Sequence, residues 1–215
     1  WCGDDIPPQM ISPHGYISIH YITRNRPHSL NSSYGFVVDY IFHDDWQMEA
    51  MNAQTVADKK CRFVFNSTHR KSGELWSVNY PGLYPRDTFC EYIFFGSTSE
   101  EVVLIHFEYF DIEGFDQCGD FSVSDYVLFS NYQTHDRTNR KFCGHIHPRF
   151  PEISESNYYR LIFDTNGMFD GTGFFARYQF VIPPKQSLSK VKHLLSSSFN
   201  YSILHSISIV LFFIL

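Results

Sequence analysis

FCGHIHPRF (Phe142–Phe150) and WCGDDIPP (Trp1–Pro8) share an aromatic residue, a cysteine and a glycine in succession. In each, a proline follows five residues after the cysteine, Pro148 and Pro7. The agreement continues downstream. Ile153-Ser154 matches Ile11-Ser12, Tyr158 matches Tyr16, and GFFARYQF (Gly173–Phe180) matches GFVVDYIF (Gly35–Phe42). YRLIF (Tyr159–Phe163) runs parallel to ISIHY (Ile17–Tyr21), and both alternate as half-buried strands do. The register slips only in segments that read as loops, so the chain contains an internal repeat. Residues 61–182 form one whole unit, and residues 1–43 are the C-terminal half of another. Asp44–Lys60 is polar, has the composition of a helical turn and reads as a linker.

Composition agrees with compact domains. Of 215 residues, 43% are hydrophobic, 18% aromatic and only 19% charged, which excludes a disordered tail. Abundant Phe and Tyr favour strands. The formal charge is −6 with Lys and Arg scattered, so no nucleic-acid partner is expected. Five cysteines stand beside three sequons, at Asn31, Asn66 and Asn200, which mark a glycosylated secreted or surface protein. No leader precedes Trp1, so the chain is expected to be a fragment whose start lies upstream. Four cysteines, Cys61, Cys90, Cys118 and Cys143, lie in the whole unit and permit three pairings. If Cys143 pairs with Cys118, the repeat implies an upstream partner for Cys2. CRFVF, YIFF, EVVLIHFEYF, DYVLF, YYRLIF and FFARYQF read as strands, separated by turn clusters such as NYPGLYPRD and TNGMFDGTG. Short antiparallel strands at this spacing predict an all-β sandwich.

The whole unit resembles the CUB domain, an extracellular module of complement proteases, tolloid-type proteases and cubilin. Cys61, SGELWSVNYPGLYP (Ser72–Pro85), Cys90, FEYFDIE (Phe107–Glu113), Cys118, SDYV (Ser124–Val127), FCG and GTGFFARYQF carry the resemblance. Val78 departs from the family's usual proline, and the segment from Cys118 to Asp125 is longer than usual. The resemblance implies a jelly-roll β-sandwich with sequential disulfides, Cys61–Cys90 and Cys118–Cys143. Each would contribute roughly 3–4 kcal/mol on the loop-entropy view. It also implies a calcium ion between loops at one end, with Tyr84, Glu113 and Asp125 at ligand or ligand-supporting positions. The family's third carboxylate aligns with Asn166, which brings an oxygen but no charge; Asp170 and Asp120 are the acids that could compensate. In the half-unit the same position falls near Arg24. GELWSVNYPGLYPRDTFCEY followed by DGTGF is similar to the suppressor-of-lurcher type, surface proteins that associate with ionotropic glutamate receptors. The partner implied is thus an extracellular or membrane protein such as an ionotropic receptor. The alternative is a non-catalytic region of a secreted tolloid- or complement-type protease.

Other candidates weigh less. His145-x-His147 has the spacing of a zinc chelate but no partner ligand at a recognisable distance in sequence, and reads as polar loop. His106 alternates with Ile105 and Phe107 and should face solvent. No G-x-S-x-G or H-E-x-x-H anchors a catalytic residue, so none is assigned. Trp76, Tyr80 and Tyr84 have two readings: an exposed partner-binding patch, or packing at the sandwich edge, with Tyr80 placed in the second. Residues 183–202 read as a stalk. The apolar end, Ile203–Leu215, is short for a span, and small residues at Ser196–Ser198 precede it. It reads as a glycolipid-anchor signal or the start of a transmembrane helix, which places the chain on the outer face of the plasma membrane or, if unanchored, secreted.

Overall fold

The computed structural model describes residues 1–22, 35–43, 46, 51–55, 61–114, 118–119, 123–136, 140–148 and 150–184. Among the described residues ten strands run in the order β1 (Gln54–Thr55), β2 (Arg62–Asn66), β3 (Ser72–Trp76), β4 (Phe89–Phe95), β5 (Val102–Asp111), β6 (Tyr126–Ser130), β7 (Lys141–Phe142), β8 (Glu152–Ile153), β9 (Tyr158–Asp164) and β10 (Gly173–Val181). They form a six-stranded sheet, β1-β2-β4-β9-β6-β7, and a four-stranded sheet, β3-β10-β5-β8. This is an all-β jelly-roll sandwich. Every strand pair is antiparallel except β2 with β4, which run parallel.

Aromatic rings fill the space between the sheets. Phe65 and Phe94 stack at 4.7 Å, Phe94 meets Tyr178 at 5.4 Å, and Phe174 touches Phe163 at 5.6 Å and Phe107 at 5.5 Å. The period-2 pattern that buries these rings is interrupted once. The β5–β10 register shifts between Phe175 and Ala176, where Phe107 and Tyr109 face consecutive partners and Glu108 is the extra residue. That bulge lets both Phe107 and Phe110 point inward although they are three apart, and leaves Glu108 and Tyr109 outside. His106 is exposed on the outer face.

Two segments outside the whole unit differ from their sequence reading. Within the expected linker, β1 pairs with β2 and Met51 is only 2% exposed, part of the core, its sulfur accepting the Trp76 N–H at 3.4 Å. A polar context masked one apolar side chain that the sandwich uses as a plug. In the expected half-unit, neither Ile17–Tyr21 nor Gly35–Phe42 forms a regular strand, although the Tyr21 and Phe36 rings meet at 5.3 Å. A lone two-strand ribbon has no second sheet on which to bury its apolar face, and such ribbons are marginal in water.

Candidate loop-end site

Tyr84, Glu113, Asp125 and Asn166 come from four loops at one end of the sandwich and meet in one hydrogen-bonded cluster. Each has a local reason to be there. Tyr84 follows the Asn79–Leu83 turn, is buried, and its N–H donates to the Gly171 carbonyl at 3.1 Å. Glu113 sits just past β5, tied to the FCG turn by the Ile112 N–H on the Gly144 carbonyl, 3.0 Å, and the Gly144 N–H on the Glu113 carbonyl, 3.3 Å. Cys143 in that turn is disulfide-bonded to Cys118, and Cys61 to Cys90. Gly114, at φ 119°, permits the close approach of Ser124, against which a Cβ would lie 3.0 Å away. Asp125 immediately precedes β6, and Asn166 follows β9, its carbonyl accepting the Asp87 N–H at 3.0 Å.

The side chains then lock the loops together. The Tyr84 hydroxyl donates to Asp125 Oδ2 at 2.7 Å and accepts the Glu113 N–H at 2.9 Å. Asp125 Oδ1 accepts the Asn166 N–H at 2.6 Å. Glu113 Oε2 accepts the Asp125 N–H at 3.1 Å and Asn166 Nδ2 at 2.6 Å. Asn166 also donates through Nδ2 to the Val123 carbonyl at 2.8 Å and accepts the Met168 N–H on Oδ1 at 2.7 Å. Asp125 is only 1% exposed. Burial pushes its carboxyl up to about 6, and the Glu113 charge adds to the rise, against the Asn166 and Tyr84 bonds that favour the ionised form. Burial and the bond to Asp125 hold the Tyr84 phenol well above its ordinary value.

Of the two acids expected to compensate for Asn166, the described one is engaged by an arginine. Asp170 takes Arg86 Nε at 3.1 Å and Nη2 at 3.2 Å, and Asp120 lies outside the described residues. His145 Nδ1 pairs with Asp111 at 2.9 Å, and His147 Nδ1 lies 2.9 Å from the Pro148 carbonyl. Among the described residues no group of three or more His, Cys, Asp and Glu gathers as a metal centre. At the sequon, Asn66 Oδ1 accepts the Thr68 N–H at 2.9 Å and its hydroxyl at 2.8 Å; Asn31, Asn200, Arg24 and the apolar end lie outside the described residues. Cys2 is exposed and unpaired. Trp76 and Tyr80, weighed above together with Tyr84, join a row on the outer face of the four-stranded sheet whose other members, Phe175 and Tyr109, the sequence reading missed: Trp76 stacks on Phe175 at 6.3 Å, Phe175 on Tyr80 at 5.8 Å, and Tyr80 meets Tyr109 at 5.4 Å. The signal was present in the outward parity of Phe175 and Trp76, which are cross-strand partners.

Comparison with known proteins agrees with this architecture. The CUB domain family model matches residues 61–178, more than half of the chain, and the chain belongs to that family. Dorsal-ventral patterning protein tolloid of Drosophila melanogaster is 22% identical over 205 residues, covering 83% of this chain and 18% of its own length. A Drosophila melanogaster cubilin homolog is 26% identical over 181 residues, covering 83% of this chain and 4% of its own. The chain thus spans less than a fifth of the curated relatives it matches. Among solved structures, the MASP-1 CUB2 domain bound to Ca2+ is similar at a TM-score of 0.44 and 24% identity, over 54% of this chain and 96% of that one.

Proposed function

We propose that this chain acts outside the cell as a non-catalytic protein-binding protein made of CUB units, held at the membrane by its C-terminal segment. Residues 61–182 are the complete unit and residues 1–43 the C-terminal half of another. The observation that carries the reading is the loop-end cluster. Four loops converge there on polar side chains, Tyr84 and Asp125 buried and Glu113 and Asn166 half-buried, whose bonds fix loop shape and leave the surrounding surface to a partner. The half-buried aromatic row, in which Tyr109 is exposed, offers residue types that dominate protein interfaces. The partner that the turn motifs favour is an ionotropic glutamate receptor. Likeness to tolloid favours a second reading, a substrate-positioning region of a secreted protease.

Calcium belongs to this proposal because the donors fit it in chemistry. Two carboxylates share one end of the sandwich, the Asp125 pair is short of positive charge, and hard oxygen ligands are what calcium takes. Glu113, Asp125 and Asn166 would hold it, with Asn166 turned to present Oδ1 and Tyr84 steadying Asp125. Bound there, the ion supplies the positive charge between the two carboxylates.

The test of function is retention of the full chain by cells that express an ionotropic glutamate receptor, compared with parental cells, in calcium and in chelator. Retention only by receptor cells supports the receptor reading. Equal retention by both overturns it and leaves the protease reading, in which the chain is retained by a tolloid-type substrate.

A further inference from the structure

Gln9–Ile11 lies across the turn Asn79–Leu83 of the complete unit. The Leu83 N–H donates to the Gln9 carbonyl at 2.8 Å, and Asn79 Nδ2 donates to the same oxygen at 3.0 Å. Met10 and Leu83 form a parallel bridge. The glycine between them is what allows this. A Cβ on Gly82 would stand 2.5 Å from the Gln9 carbonyl oxygen and 2.9 Å from its Cβ, distances that real Cβ atoms essentially never show. The demand at position 82 is therefore for space, not for an unusual φ. Apolar anchors reinforce the contact: Ile11, and further along Trp46, pack against the core, and Met51 is buried within it.

The repeat gives this contact a meaning. Ile11 matches Ile153, which lies in β8 and pairs with Leu104 of β5 inside the complete unit. The same stretch of the repeat is an edge strand in one copy and a cross-unit contact in the other.

We propose that the Asn79–Leu83 turn is a docking site for the segment of the preceding repeat that carries Gln9–Ile11, so that consecutive units are clamped instead of being joined by a free linker. The word "repeat" rests on the half-unit reading above; the clamp itself stands on the contacts. Its position also matters for the site, because Leu83 precedes Tyr84, whose hydroxyl joins Asp125 to Glu113. Holding Leu83 holds the entry to that cluster.

Hydrogen exchange on the full chain tests the clamp at a single amide. Leu83 N–H should exchange slowly in the wild type, because its acceptor is Gln9 and no atom of the complete unit. Gly82→Ala removes the space and Ile11→Asp removes the apolar anchor. Each should speed exchange at Leu83 about tenfold or more, with β4 and β9 amides still slow. Ile11→Asp is decisive, since it alters no residue of the complete unit and stays informative if Gly82→Ala loosens the sandwich. Unchanged Leu83 exchange in Ile11→Asp, or free exchange at Leu83 in the wild type, overturns the clamp. The amides of residues 17–21 and 36–42 report separately on the half-unit reading. Free exchange there is what a half-unit without its second sheet should show, whereas slow exchange would make those segments part of the same core and sink that reading; either result leaves the clamp standing.

Discussion

Phe174 and Phe36 occupy matching places in the repeat, yet Phe174 is fully buried and Phe36 is 55% exposed. The same holds for the matching stretches that precede them. Leu161 and Phe163 are buried in β9, while Ile19 and Tyr21 of the matching ISIHY are 58% and 56% exposed. Alternation is thus a statement about what a strand would do if a second sheet covered it. In the complete unit, β10 lies between β3 and β5 and faces the six-stranded sheet, so each inward ring finds partners. In residues 17–21 and 36–42 the same letters meet water.

The sharpest way to break this comparison is to cut the matching rings. Phe174→Ala should cost about 3–5 kcal/mol, because Phe174 touches Phe107, Phe163 and Tyr92 and leaves a cavity between the sheets. Phe36→Ala should change stability by less than about 0.5 kcal/mol. Denaturant titration of both variants decides the matter, and equal losses would mean that residues 1–43 belong to the cooperative core.

The glycine before each ring gives a second, smaller contrast. Gly173 has φ +82°, and a Cβ there would fall 1.8 Å from the Oγ of buried Ser77, which accepts the Phe174 N–H at 3.0 Å. Gly173→Ala should therefore cost about 2–3 kcal/mol. Around Gly35 nothing lies within 4 Å. Gly35→Ala should be neutral in the same thermal melt, and a penalty like that at Gly173 would show that the first segment uses its glycine in the same turn.

These pairs also show what the letters could carry. Strands with alternating apolar residues were legible, β5 and β10 above all, because buried and outward positions alternate along most of each, the bulge at Glu108 apart. β3 was not, since Ser72-Gly73-Glu74 lacks apolar bulk and its place is set by pairing with β10. The parallel β2–β4 pair could not be read either, because period 2 is the same for both directions. Met51 was hidden by its polar neighbours, though a single buried side chain decides the domain edge. At the loop end, Tyr84, Glu113, Asp125 and Asn166 lie on separate loops far apart in the chain, and only a family resemblance put them side by side. No spacing rule could say that the Asn166 amide turns its Nδ2 to Glu113, since that follows from the Met168 N–H holding Oδ1.

An ion pair of the complete unit sharpens the comparison through pH. Glu101 is 3% exposed, and burial alone would raise its carboxyl. Bonds from Lys71, Ser67 and Ser97 outweigh that and hold it down at about 2. A folded-state value below the unfolded one means stabilisation that is complete above about pH 4.5. It is lost as the pH falls from there towards 2. Glu101→Gln should cost about 1.5–2 kcal/mol at neutral pH and flatten that acid limb. A variant whose stability falls between pH 4.5 and 2 as steeply as the wild type would assign the limb to other acids.

The smallest effect expected is the one that bears most on function. A ligand that binds only the folded state adds RT ln(1 + [L]/Kd), about 1.4 kcal/mol when calcium stands tenfold above its Kd. At the loop end only Glu113 and Asp125 bring charge, and Asn166 brings an oxygen it must first turn away from Met168, so the affinity should be low and the gain in Tm modest. Millimolar calcium should still raise the melting temperature of the full chain relative to chelator. Glu113→Ala should abolish the rise, because it removes one of the two charges. Asn166→Asp should enlarge it, because a third carboxylate both attracts the ion and repels its neighbours when the ion is withheld. That second half gives the test its discrimination: Asn166→Asp should melt lower than wild type in chelator and gain more from calcium. The first segment supplies the control, since in sequence its matching position falls near Arg24, a residue of the wrong charge for a cation ligand. Arg24→Ala should leave the calcium response unchanged. Identical melts of the wild type in calcium and chelator, with Asn166→Asp also unresponsive, would mean that the Asn166 amide closes the carboxylate pair by itself and that this end of the sandwich works without an ion.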